Sequence, residues 1–213
     1  ATEVEIARRE GRPFEVEGVE VQVPEWMDEI VATFSHLARG SSNISQRSGV
    51  SVRLTVTNRE TLVANAVRRA LRMGETTVVP RISDLDALAA STMGKVEIES
   101  FEEGREGEIV EKLLHQAVLT VFRERVGTGA AAPAVDGFDD GEVLHVGEDV
   151  TVADYEAALA GRPALAEVVA DVAGADADAA VRASAAELVL EGLHLSKRLN
   201  KDAVGARASY RGR

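Results

Sequence analysis

Between Arg53 and Met73 the apolar residues Leu62, Val63, Ala66, Val67, Ala70 and Leu71 recur in pairs four apart. That spacing stacks side chains along one face of an α-helix and would scatter them over both faces of a strand. The same winding leaves Arg59, Arg68, Arg69 and Arg72 on other faces, where a solvated surface or a neighbouring subunit would meet Arg68 and Arg69. The preceding string Ser48-Gly49-Val50-Ser51-Val52-Arg53-Leu54 puts a glycine and a serine just ahead of the helix and an arginine in its first turn. A cation there opposes the helix dipole, whose positive end lies at the N-terminus. Arg53 therefore calls for an anion. A phosphate matches the guanidinium fork, and a carboxylate of its own bundle is the open alternative.

The rest of the chain divides around this helix. Residues 1–23 alternate Phe14, Val16, Val19, Val21 and Val23 with polar positions, which predicts either a short hairpin turning at Gly18 or a lone extended segment. Pro24 suits the start of a helix that buries Trp26, Ile30, Val31, Phe34 and Leu37 and stops near Gly40. A Ser/Asn/Gly-rich loop follows, then the arginine helix, ended by Gly74. Ser83 with Asp86 three residues later resembles an N-capping pair ahead of a helix burying Leu85, Leu88 and Ala89. Residues 108–125 carry Ile109, Leu113, Leu114, Ala117, Val121 and Phe122 at helical spacing, with Gly127 placed to stop them. Thr151 with Asp154 starts another helix that breaks near 161–163, and further helices are expected around 165–172 and 179–199. Residues 201–213 are basic and are expected to fray. The fold class expected is mostly α, a helical bundle with a second C-terminal helical region and a short N-terminal β segment.

Charge sharpens the division. The net charge is −12, yet residues 127–178 hold twelve acidic residues against Arg162 alone, and the remainder is close to neutral. Residues 127–150 thus read as an acidic, glycine-punctuated linker and 151–213 as the C-terminal helical region. The segment 135–178 is either a solvated face or a docking surface for a basic protein partner. The acidic balance argues against nucleic acid, with only the basic positions between Arg59 and Arg81 in its favour. There are no cysteines, which excludes disulfides and thiol chemistry and suits the cytoplasm. No apolar run approaches the roughly 18 residues of a membrane span. The first residues after Ala1 read as mid-domain material, so an upstream segment is expected.

Catalytic signatures are missing. There is no G-x-x-x-x-G-K-[ST] phosphate loop and no apolar strand ending in paired acids to hold magnesium. His36, His115, His145 and His194 lie far apart without ligand spacing, and no G-x-S-x-G elbow occurs. The string Asp136-Gly137-Phe138-Asp139-Asp140-Gly141-Glu142 lacks the spacing of a calcium loop. No catalytic residue and no metal ligand are assigned.

A resemblance does emerge from the arginine helix. Gly49-Val50-Ser51-Val52-Arg53 resembles the G-x-S-x-R that opens the sensor-2 helix of MoxR-type and magnesium-chelatase-type AAA+ ATPases. Val78-Val79-Pro80-Arg81-Ile82-Ser83-Asp84-Leu85 resembles the approach to the last lid helix of that family. Ser45-Gln46-Arg47-Ser48-Gly49-Val50-Ser51-Val52-Arg53 and Ser91-Thr92-Met93-Gly94-Lys95-Val96-Glu97 are similar to a chelatase I-subunit-like branch. The likeness spans about residues 20–125. It implies a connecting segment from an upstream core over 1–23 and a lid-like helical domain with an extension helix over 24–126. Arg53 would be the sensor-2 residue reaching the γ-phosphate, with Arg47, Ser48, Gly49 and Ser51 as its supporting loop. ATP and magnesium would be held by the complete protein, with none expected on this chain alone, in a homo-oligomeric ring that couples hydrolysis to remodelling or metal insertion. The family's phosphate loop, magnesium acid and sensor-1 strand are absent here, so phosphoryl transfer requires the core. The competing expectation is a non-catalytic acidic helical module for protein interaction.

Overall fold

In the computed structural model the described residues are 2–12, 16–45, 49–98, 104–205 and 207–213, without the side chains of 139–141. The chain is mostly α, and its longest helix is the arginine helix. The N-terminal residues, expected as part of a connecting segment over 1–23, open as a helix, α1 (Glu3–Glu10). Its cause is local: Thr2 and Glu5 form a reciprocal capping box, and acids begin the helix while Arg8 and Arg9 end it. The turn at Gly18 is present, with φ near 76° and Val16 bridged to Val19. Phe14 lies outside the described residues. Strand β1 (Glu20–Val21) then runs parallel to β2 (Thr77–Val78).

Helix α2 (Glu25–Gly40) follows Pro24 and buries Trp26, Ile30, Val31 and Phe34 as expected. Helix α3 (Val52–Met73) is capped by Ser51 and ended by Gly74 in the left-handed conformation, φ 70°. Its stripe is buried except at Leu71, which is 55% exposed. The larger departure concerns Arg69, expected on a solvated face but only 1% exposed. It lies beneath a 3-10 turn over Ile82–Asp86 that delivers Asp84 to it. Asp84 also bonds the backbone N–H of Arg81, so the capping pair is Arg81 with Asp84 rather than Ser83 with Asp86. Helix α4 (Ala87–Met93) completes this unit, and α5 (Glu106–Arg125) lies along α2.

Residues 127–150, expected as a linker, pack instead. A 3-10 stretch over Ala132–Gly141 buries Ala134 and Phe138, and β3 (Val143–Gly147) buries Leu144 and Val146. Helices α6 (Val152–Ala160), opened by the Thr151–Asp154 capping box, and α7 (Pro163–Ala173) then lead to α8 (Ala179–Leu195). From Ala183 to Leu193 every residue of α8 is buried. A helix buried on all sides lies at the centre of a fold, and α8 packs on α5, α6 and α7.

The last residues do not fray. They form a hairpin, β4 (Asn200–Val204) and β5 (Arg207–Arg211), and β5 pairs antiparallel with β3 to give the order β3-β5-β4. The register sets Tyr210 opposite Leu144, and both point into the buried cluster. This cluster runs from Trp26 to Tyr210 and joins early helices to late ones, while Val63, Ala66, Val67 and Ala70 of α3 form a second, smaller cluster with Val78. Among the described residues, no helix is long and apolar enough to cross a membrane.

Candidate functional site

Gly49 holds φ at +63°, a backbone geometry that side chains disfavour. It turns the chain so that Ser51 accepts from the N–H of Arg53 at 3.3 Å. This is an ordinary N-cap, and it sets Arg53 one residue inside α3 with its side chain in solvent. The first turn of α3 contains no acid. None of the described carboxylates pairs with the Arg53 guanidinium, so the alternative of an ion pair within its own bundle finds no counterpart there. Arg47 and Ser48 lie outside the described residues.

The approach to α3 is held from behind by α1. Arg39 of α2 donates to the carbonyl of Val50 at 2.9 Å and to both oxygens of Glu3, one at 2.7 Å. Thr55 donates to Glu3 as well. Burial acts to raise the Glu3 carboxyl, but the bonds from Arg39 and Thr55 outweigh it and hold the group below the usual range. Nothing in residues 1–23 viewed as extended chain would have suggested this brace. The available signal was the T-x-x-E spacing of Thr2 and Glu5.

The other arginines of α3 are committed inward or sideways. Arg59 binds Asp28 at 2.7 Å, and Arg68 and Arg72 both bind Glu148 at 2.9 Å. Arg69 reaches Asp84 at 3.0 Å, Glu75 at 3.2 Å and the carbonyl of Val79 at 2.9 Å. Arg81 donates to the carbonyl of Val150 at 2.8 Å and lies 4.8 Å above the ring of Tyr155. Arg59, Arg68, Arg69, Arg72 and Arg81 thus each have an internal acceptor, whereas Arg53 is exposed and has no ion pair among the described residues.

Sequence reasoning missed Glu187, whose carboxylate is buried in α8. It accepts from the Ser83 N–H at 2.6 Å, the Ser83 hydroxyl at 3.1 Å and the Tyr155 hydroxyl. Burial pushes its carboxyl up despite Arg81 and these bonds. Burial, with the charge of Glu187, also raises the Tyr155 phenol well above its usual value. The signal was a pair of glutamates, Glu187 and Glu191, inside an otherwise Ala/Val/Leu helix. In a central helix a charge has no water to face and must find partners.

Several carboxylates of the acidic segment are likewise occupied. Glu148 holds two arginines, Asp149 binds Arg207 at 2.6 Å, Glu156 binds Arg182, and Asp154 and Asp178 cap helices. Among the described residues no group of three His, Asp or Glu is placed to hold a metal. Compared with known proteins, the chain matches no family model, no curated protein and no solved structure.

Proposed function

We propose that this chain is the lid and C-terminal region of a cytoplasmic AAA+ ATPase of the magnesium-chelatase-like group, with Arg53 as the residue that contacts nucleotide phosphates. The observation that carries the reading is an exposed arginine in the first turn of a 22-residue helix, introduced by a left-handed glycine and a serine cap, without an internal carboxylate partner. A polyanion arriving there relieves the unfavourable meeting of cation and helix N-terminus. The guanidinium fork suits phosphate oxygens; magnesium and the attacking water belong to the core, whose phosphate loop this chain lacks. Assembly into a homo-oligomeric ring, and coupling to remodelling or metal insertion, follow from the same reading. Docking of a basic partner on 135–178 is the weaker reading, because several of those carboxylates, Glu148, Asp149 and Glu156 among them, have internal partners.

The test is made on the longest polypeptide encoded with this chain. Arg53→Ala should lower ATP turnover tenfold to a hundredfold, the worth of about 1.5–3 kcal/mol of charged hydrogen bonding, with the helical circular dichroism unchanged. Arg53→Lys should recover part of the loss. Unchanged turnover, or a polypeptide without any phosphate loop, overturns the reading.

A further inference from the structure

Beside the Ser83–Glu187 contact, α8, α5, the 3-10 turn and the C-terminal hairpin enclose a cavity of about 100 Å³. Glu191 stands one helical turn beyond Glu187 and is 1% exposed. Its Oε2 accepts from Lys201 Nζ at 2.7 Å and from the Tyr210 hydroxyl. Its Oε1 is buried without any hydrogen-bond donor among the described residues. His115 Nε2 lies 3.9 Å from that oxygen, beyond hydrogen-bond reach. A buried carboxylate oxygen left without a donor is costly, and this one belongs to a residue lining the cavity.

The surrounding charge defines what would satisfy it. Asp86, Glu111, Glu187 and Glu191 line the cavity against Lys201 and Arg207, and Arg207 is already paired with Asp149 at 2.6 Å. Partial burial pushes the Asp86 carboxyl up, and repulsion from Glu191 and Glu111 adds to it against the pull of Lys201 and His115. The site therefore favours an added positive charge. Leu114, Val118 and Val146 supply apolar wall, and the volume suits about three or four water-sized groups. A bare metal ion fits less well, since no three ligating side chains converge among the described residues.

We propose that this cavity binds a primary ammonium group on a short alkyl stem, with Glu191 Oε1 as its acceptor. The ammonium supplies the missing donor and the added charge, and the stem lies against Leu114 and Val118. The assignment is independent of any phosphate role for Arg53. The carrier of the ammonium is either a free small amine or a lysine side chain of another protein.

Butylammonium titrated into the purified chain should perturb the His115 ring signals in NMR saturably, whereas 1-butanol and butyrate should not. Glu191→Gln should weaken the ammonium at least about tenfold. Ala208→Leu, which fills the cavity from partly exposed β5, should abolish binding with the helical circular dichroism retained. It tests the site even where Glu191→Gln loosens the hairpin. Nα-acetyl-lysine methylamide is the second probe: binding comparable to butylammonium identifies a lysine side chain as the ligand, and binding of butylammonium alone identifies a free amine. Absence of saturable binding by either probe, equal binding of 1-butanol, or undiminished binding to folded Ala208→Leu overturns the proposal.

Discussion

Tyr155 and Tyr210 are the only tyrosines in the chain, and each donates its hydroxyl to a buried glutamate. Burial first, and the adjacent glutamate charge second, raise both phenols well above 10. A raised folded value means that the folded state holds the proton more tightly than the unfolded chain. The stability this contributes is fully present below the unfolded tyrosine value of about 10 and is lost as pH rises above it. The native protein should accordingly show no tyrosinate absorbance at about pH 10, and the signal should arise together with loss of helical circular dichroism at higher pH. An ordinary titration near pH 10 with the helices intact would contradict the burial of both phenols. At this scale the sequence is most readable where the partner is a near neighbour. Ser51, Gly74 and the Thr151–Asp154 pair act within three or four residues of themselves, and each has the role its type suggests. Arg69, Glu187 and Glu191 owe their burial to segments remote in sequence, so their types alone pointed to the surface.

The elements read most clearly are α2, α3 and α5, whose apolar periodicity is long and regular. The hairpin over 200–211 left no comparable trace. Its partner β3 lies more than fifty residues earlier, in a stretch whose acids and glycines suggested a linker, and a sheet built from such distant pieces has no local period to detect. Its ends are fixed by contact: Gly212 lies so near the Phe138 carbonyl that a Cβ would stand 2.5 Å from it. The same device joins α8 to α5. A Cβ on Gly192 would lie 2.1 Å from Cγ of Phe122, whose ring is fully buried and has no free direction in which to swing. Glycine to alanine in a helix interior ordinarily stabilises by about 1 kcal/mol. Here overpacking, on the order of 1–3 kcal/mol or more, has the opposite sign and wins. Gly192→Ala should lower the melting temperature by several degrees, at about 2–4 °C per kcal/mol for a chain of this size. Adding Phe122→Leu should give a double variant that loses less than the two single losses combined. A Gly192→Ala protein melting at or above the parent would show that α5 and α8 are not in that contact.

Across the whole molecule, the acidic excess that suggested separate halves is used to join them. Glu148, just after β3, binds Arg68 and Arg72 of α3, and Glu75, just after α3, accepts from the N–H of Val152 at 2.8 Å as α6 begins. Exposed pairs such as those of Glu148 contribute little, about 0–1 kcal/mol each, so the joining rests mainly on the large apolar cluster that early and late helices share. Trp26 is the sole tryptophan and lies at this junction. Its indole N–H donates to Ser184 of α8 at 3.3 Å, and Ser184 in turn donates to the carbonyl of Pro80 at 2.6 Å. Tryptophan fluorescence therefore reports the docking of α2 on α8, while far-ultraviolet circular dichroism reports every helix at once. If the cluster acts as one cooperative unit, the two signals should trace the same transition in guanidinium chloride, with the same midpoint and slope. Two independent helical units would separate them, because fluorescence would change when the halves part while much of the ellipticity survived. Ser184→Ala removes the hydrogen-bonded bridge between α2, α8 and Pro80 without altering either half's own helices. It should move both curves together to lower denaturant, by about 1–3 kcal/mol for the buried groups left unpaired. A shift in the fluorescence curve alone would place the boundary between two folding units at that bridge.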